Sequence, residues 1–166
     1  MTKHIKNILV AMVVTAGLFS CEQERLDPVL TTAEGGGTLS EYMAYTIAST
    51  DPSGSNVFGR IVFWKSTLNQ TLVQVSLYNT VPGLEHPALV LEGMVGTETT
   101  TTLTLDNISG DSGEFEANKF FVIDDTEFYD AIPAMDAHVN IYLSETDDTI
   151  VASGDFGANA NPVEMN

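Results

Sequence analysis

The chain is poor in cysteine and in positive charge. Its 166 residues hold one cysteine, Cys21, and 6 lysines and arginines against 23 aspartates and glutamates. A single cysteine excludes an intramolecular disulfide, so packing alone must hold the fold. The scarcity of cations argues against nucleic acid and anionic lipid as partners, since both demand a basic patch. Beyond residue 20 only His86 and His138 supply imidazole. That is a thin stock for zinc or copper, which usually take three or four nitrogen or sulfur ligands. Sustained helical periodicity is also missing past residue 20, which argues against a helical bundle.

The first twenty residues differ from the rest. Lys3, His4 and Lys6 precede an apolar run from Ile8 to Phe19 broken only by Thr15 and Gly17, and no acid occurs before Glu22. A basic start with a short apolar middle is the layout of a secretory signal, and the run is shorter than the roughly 20 apolar residues that cross a bilayer. Leu18-Phe19-Ser20-Cys21 resembles the lipobox, in which a small residue precedes a cysteine that is lipidated before cleavage. The resemblance implies cleavage after Ser20 and lipid on Cys21, with the membrane as partner through that anchor. Lipoproteins held at the inner membrane often carry Asp after the lipidated cysteine. Glu22 stands here, which implies a lipid-anchored protein of the outer membrane, facing the periplasm or the cell surface.

Cleavage leaves Arg25, Arg60, Lys65 and Lys119 against all 23 acids, a formal charge of −19. Self-repulsion of that size favours a soluble domain. Residues 21–38 contain Pro28, several threonines and Gly35-Gly36-Gly37, and read as a flexible tether. Residues 39–159 suit one domain with a sizeable core, and residues 160–166 are expected to fray.

Within that domain, β-rich runs recur between turn-forming clusters: 39–48, 57–64, 71–78, 88–95, 100–105, 119–123, 138–144 and 149–156. Val73, Val75 and Leu77 alternate with Gln74 and Ser76, and Val139, Ile141 and Leu143 alternate with His138, Asn140 and Ser144. Each set predicts one inward apolar face. Ser66–Gln70 and Glu145–Asp148 read as antiparallel hairpin connections, and Asp125–Ile132, ending before Pro133, as one helical turn. The fold class predicted is all-β, a sandwich or barrel.

Candidate chemistry is thin. Gly110-Asp111-Ser112-Gly113 matches the letters around a serine-protease nucleophile, yet four letters in a Gly/Ser/Asp turn are cheap and a triad is recognised by geometry. Asp106, Asp111, Asp124-Asp125 and Asp147-Asp148 carry carboxylates of the kind calcium takes, without the spacing of a calcium loop. Aspartate also favours turns for its bonds to nearby amides. His86 and His138, with a carboxylate such as Asp155, would need folding to meet. Trp64, Tyr78 and Tyr142 either offer an aromatic surface for a sugar or peptide or finish a core and cover an edge.

Several stretches in order resemble the CHRD domain, a module named from chordin and found in many small bacterial lipoproteins. They are Phe58-Gly59-Arg60-Ile61-Val62-Phe63, Thr71 to Leu77, His86-Pro87-Ala88, Leu103-Thr104-Leu105 with Gly110 to Gly113, Tyr129-Asp130, His138-Val139-Asn140-Ile141-Tyr142-Leu143-Ser144 and Ile150 to Asp155. The resemblance implies an antiparallel Greek-key or immunoglobulin-like sandwich, distantly similar to the copper-zinc superoxide dismutase barrel, with no settled activity. His86, His138, Asn140 and Asp155 fall at its motif positions. Where the family commonly reads Pro-Ala-His-Ile-His, this protein reads Pro87-Ala88-Leu89-Val90-Leu91, and Tyr142 stands at a further histidine position. Leu89 and Leu91, two apart on a strand, point the same way and add apolar contact.

The expectation is therefore a noncatalytic, lipid-anchored envelope module without cofactor or metal, binding a partner or serving a structural role. An envelope protein or a glycan is the partner class it suits. A surface carbohydrate- or peptide-binding protein is the first alternative, and a superoxide-dismutase-like metal enzyme the second, less favoured one.

Overall fold

A computed structural model describes residues 37–97, 100–113, 119–125 and 127–166. The expected signal peptide, Cys21 and all of the expected tether except Gly37 and Thr38 lie outside the described residues. The described part is mostly antiparallel β-structure, in agreement with the all-β expectation. Its strands are β1 (Leu39–Ser49), β2 (Phe58–Ser66), β3 (Thr71–Tyr78), β4 (Glu85–His86), β5 (Ala88–Glu92), β6 (Thr101–Thr104), β7 (Ile108–Ser109), β8 (Phe121–Ile123), β9 (Asp136–Ser144), β10 (Asp147–Gly157) and β11 (Glu164–Met165). Each of the eight expected runs overlaps a strand, and the short β4, β7 and β11 lie outside them. The predicted helical turn is α1 (Phe128–Ala131), continued by a 3-10 turn over Ile132–Ala134.

The main sheet runs β6-β5-β9-β10-β1-β2-β3-β8 and curls into a half-barrel. β1 joins the two halves of the sheet. This strand pairs with β2 along nearly its whole length, but with β10 only at Ala48 and Ser49. Two tight connections are the expected hairpins. Between β2 and β3, Asn69 takes a left-handed φ of 62° while Ser66 N–H donates to Gln70 C=O at 2.9 Å. Between β9 and β10, Ser144 pairs with Asp147 across a two-residue turn.

The inward faces of the two halves form one core. Met43, Tyr45 and Ile47 of β1 meet Ile61 and Phe63 of β2, Val90 of β5, Val139 and Ile141 of β9 and Phe156 of β10. Tyr45, Phe63 and Phe156 stand at its centre with ring centroids 5.1–6.1 Å apart. Burying a side chain such as Phe156 contributes about 1.5–3 kcal/mol. The outward face of β1–β3 carries a second buried cluster of Ala44, Val62, Trp64 and Leu72, with Leu39 at the entry to the sheet. Alternation therefore predicts the inward face correctly and says nothing of this outer cluster.

The C-terminal residues differ from the frayed tail expected of 160–166. Val163 N–H donates to Ala44 C=O at 2.8 Å, Asn166 N–H donates to Tyr42 C=O at 3.2 Å, and β11 sets Met165 opposite Met43. The reason is the open stretch along β1: β10 reaches only its C-terminal end, and β11 pairs the part of that edge which β10 leaves uncovered.

Candidate functional site

Strand β9 places the sequence-predicted residues. Ala137, Val139 and Ile141 enter the core, so His138, Asn140 and Tyr142 lie on the opposite face. Register then builds two rows across that face. Leu91 of β5, His138 of β9 and Asp155 of β10 form one, and Leu89, Asn140 and Ser153 form the next. Three of the four motif positions thus come together on one patch of sheet, with Leu89 and Leu91 beside them.

Each polar member of the patch has a partner. Ser153 Oγ donates to Asn140 Oδ1 at 2.9 Å, a bond between two buried side chains. His138, 1% exposed, places Nδ1 2.8 Å from Gly93 C=O, which makes that nitrogen the N–H donor. Asp155 Oδ1 accepts Val95 N–H at 2.7 Å. The turn after β5 is therefore strapped to the sheet by two side chains, and Gly93 N–H donates to Asp136 C=O at 2.8 Å. The turn itself needs left-handed backbone at Gly93 and Gly96, φ 86° and 85°, which explains why the expected strand 88–95 ends at Glu92.

His86 lies elsewhere. It is fully buried, its Nε2 accepts Val81 N–H at 3.3 Å, and its Nδ1 lies 3.0 Å from Tyr142 C=O. Since Nε2 accepts, Nδ1 carries the proton, and both ring nitrogens are committed to backbone. Tyr142 is four residues along β9 from His138, a separation of about 13 Å at strand rise. Tyr142 joins His86 through its carbonyl, and the two histidines do not converge.

The Gly110–Gly113 turn is built for packing. A Cβ on Gly110 would stand 2.0 Å from Val81 C=O, and Gly110 N–H donates to Leu84 C=O at 2.8 Å. Asp111 Oδ1 accepts Gly83 N–H at 2.8 Å. Other candidate calcium carboxylates also serve turns: Asp125 Oδ1 accepts Glu127 N–H at 2.9 Å and Asp147 Oδ1 accepts Thr149 N–H at 3.0 Å. The Thr149 bonds hold the Asp147 carboxyl below its ordinary pKa. Among the described residues no three His, Cys, Asp or Glu side chains gather as a metal cage.

The expected aromatic surface is dispersed. Trp64 sits in the outer cluster 4.9 Å from Tyr42, and its buried indole nitrogen has no hydrogen-bond partner among the described residues. Tyr78 instead stacks on Phe58, its cross-strand partner, at 5.3 Å and 25°. Phe58 is six residues along β2 from Trp64, about 20 Å. This Phe58–Tyr78 pair is the surface feature that single-residue reading of aromatics misses. Phe58 opens β2 and Tyr78 closes β3, so the pair stands at the open end of the hairpin, opposite its short turn.

Two further features position the fold. Lys65 Nζ lies 2.6 Å from Asp130 Oδ1 and 5.4 Å from the Tyr129 ring centre, which ties α1 to β2. The bond to Asp130 raises the Lys65 pKa, and burial, reinforced by Glu41 and Asp130, pushes the Tyr129 hydroxyl up to about 12. A pocket of about 20 Å³ between Val73, Leu105, Asn107, Ile108, Lys119 and Phe121 has room for about one water. No helix among the described residues is long and apolar enough to cross a membrane. No protein-family model, curated protein or solved structure matches the sequence or the fold.

Proposed function

We infer that this protein is a lipid-anchored, noncatalytic β-sandwich module of the CHRD type, held at the outer membrane through Cys21. It acts in the cell envelope by binding a partner or by a structural role. The observation that carries the reading is the use made of the two histidines at the resembled motif positions. His86 spends both ring nitrogens on Val81 and Tyr142, and His138 spends Nδ1 on Gly93. A general base must keep an accepting nitrogen facing substrate: both nitrogens of His86 are committed to backbone, and His138, 1% exposed, is closed off by burial.

The half-barrel, with one core shared by two strand groups, suits a Greek-key arrangement distantly similar to the superoxide dismutase barrel. At the positions of the family's two further histidines stand Leu89 and Leu91, which take the places beside Asn140 and His138. Apolar neighbours there disfavour a bound cation, and the domain takes up no stoichiometric copper or zinc.

Lipid labelling and fractionation of cells expressing the whole protein test the reading. The native protein incorporates labelled fatty acid and sediments with membranes, whereas Cys21→Ser protein is unlabelled and soluble. Lipid-labelled, membrane-bound Cys21→Ser protein would refute the anchor. One copper or zinc per purified molecule would refute the noncatalytic scaffold.

A further inference from the structure

We propose that the outward face of β1–β3 is a docking surface for the chain's own segment Thr31-Thr32-Ala33-Glu34, which folds back from Gly37 to cover Trp64 and Leu72. Trp64 is 8% exposed, Val62 3% and Leu72 1%, the burial of a core, although these side chains point away from the core. Among the described elements, those packed closely on β1–β3 are their sheet neighbours and α1, and α1 enters the inward core through Tyr129. On the outward side, half-buried Tyr42 and Phe120 border the cluster. The buried indole N–H of Trp64 has no hydrogen-bond partner among the described residues, and a buried tryptophan ordinarily finds one. A carbonyl or hydroxyl oxygen therefore belongs above it.

The chain entering β1 arrives at this place. Thr38 is fixed at the β2–β3 turn, its C=O accepting Thr67 N–H at 3.0 Å and its N–H donating to Thr67 Oγ1 at 3.1 Å. Gly37 is buried there, and a Cβ on it would stand 2.5 Å from Ser66 Oγ. Ser66 shares the outward face of β2 with Trp64, two residues and about 7 Å away. Gly35 and Gly36 precede this contact and give the backbone the freedom to reverse. Four extended residues reach about 13 Å, the length of β2 from Ser66 to Val62. Residues 31–34 therefore suffice to cover the cluster.

Composition suits the segment to that face. Thr31, Thr32 and Ala33 are small, and threonine favours extended backbone. Their methyl groups meet Val62, Leu72 and the indole ring, while a backbone carbonyl or a threonine hydroxyl accepts the indole N–H. Covalent attachment gives the segment a high effective concentration at the face, whereas a second copy must overcome the repulsion of two chains of formal charge −17. The docking stands on the described face alone. One consequence rests on the lipid-anchored reading above: the link from Cys21 to the folded domain ends at Leu30 instead of Thr38.

Trp64 is the only tryptophan in the chain, so its indole N–H gives a single side-chain NMR signal. Nuclear Overhauser spectra of the full-length protein in detergent should connect that proton to residues 31–34. Thr32→Asp with Ala33→Asp sets charge against the apolar cluster and should speed solvent exchange of the indole proton about tenfold. Both substitutions precede β1 and spare the folded core. Contacts from the indole proton to detergent alone overturn the proposal, as do contacts to a second copy in a sample mixing labelled and unlabelled chains. Exchange in the double variant as slow as in the native protein also overturns it. Fatty-acid labelling reads the lipid on Cys21 separately, so failure here is distinguishable from failure of the broader reading.

Discussion

His138 and Asp155 face each other across β9 and β10 and take hold of two points of one turn. The imidazole Nδ1 lies 2.8 Å from Gly93 C=O, and the carboxylate accepts Val95 N–H at 2.7 Å. Residues that would suggest a metal or catalytic pair in the sequence thus act as two staples on a loop. His138→Ala should cost about 1–3 kcal/mol, for the lost bond to the partly buried Gly93 carbonyl and the emptied imidazole site. Asp155→Ala should cost about 1 kcal/mol and speed exchange of the Val95 amide, with Asp155→Asn closer to native because an acceptor remains. Denaturant melts with amide exchange by NMR check both, and an unchanged Val95 amide in Asp155→Ala would contradict the staple.

The register that sets Leu91 beside His138 and Leu89 beside Asn140 predicts a gain of function. Introducing histidine at both positions, Leu89→His with Leu91→His, should assemble three imidazoles and Asp155 on one face and confer zinc or copper binding. Calorimetric titration of the double variant and the native protein with each metal ion measures the difference. Binding by the native protein equal to that of the variant would show that the leucines do not control uptake.

Alkaline stability should reflect Tyr129. Burial first, and the nearby Glu41 and Asp130 charges next, raise its hydroxyl from an ordinary 10.0 to about 12. The folded state therefore holds this proton more tightly than the unfolded state. The resulting stabilisation is whole below pH 10 and is lost as pH rises through about 12. Tyr45 is shifted in the same direction by burial, and the Lys65 pKa, raised by Asp130, adds stability that also fades at high pH. Tyr129→Phe should flatten part of the alkaline decline while leaving the neutral range little changed, as denaturant midpoints across this window would record.

Removing residues 163–166 should expose the lower edge of β1. Tyr42 and Ala44 would lose the backbone partners supplied by Val163 and Asn166. The expected cost is about 1–3 kcal/mol, at about 1 kcal/mol for each lost bond. An unpaired edge also invites pairing between molecules, so the truncated protein should associate at concentrations where the intact protein does not. Light scattering with thermal melts measures both effects.

Much of this protein is legible in its sequence because strand alternation and turn chemistry are local. Val73, Val75 and Leu77 announce their inward face by spacing alone, and Asn69 announces a hairpin by the left-handed backbone it permits at a turn. The acidic balance, the lone cysteine and the shortage of imidazole likewise bound the chemistry without coordinates. Strand pairing between distant residues is not local, and only the tertiary structure decided it. Register brought His138 to Asp155 and Leu91 while carrying His86 to Tyr142, and it set Phe58 against Tyr78 while leaving Trp64 far away. The same nonlocal pairing drew Glu164 and Met165 onto β1, because an open strand edge accepts whatever backbone the fold brings to it.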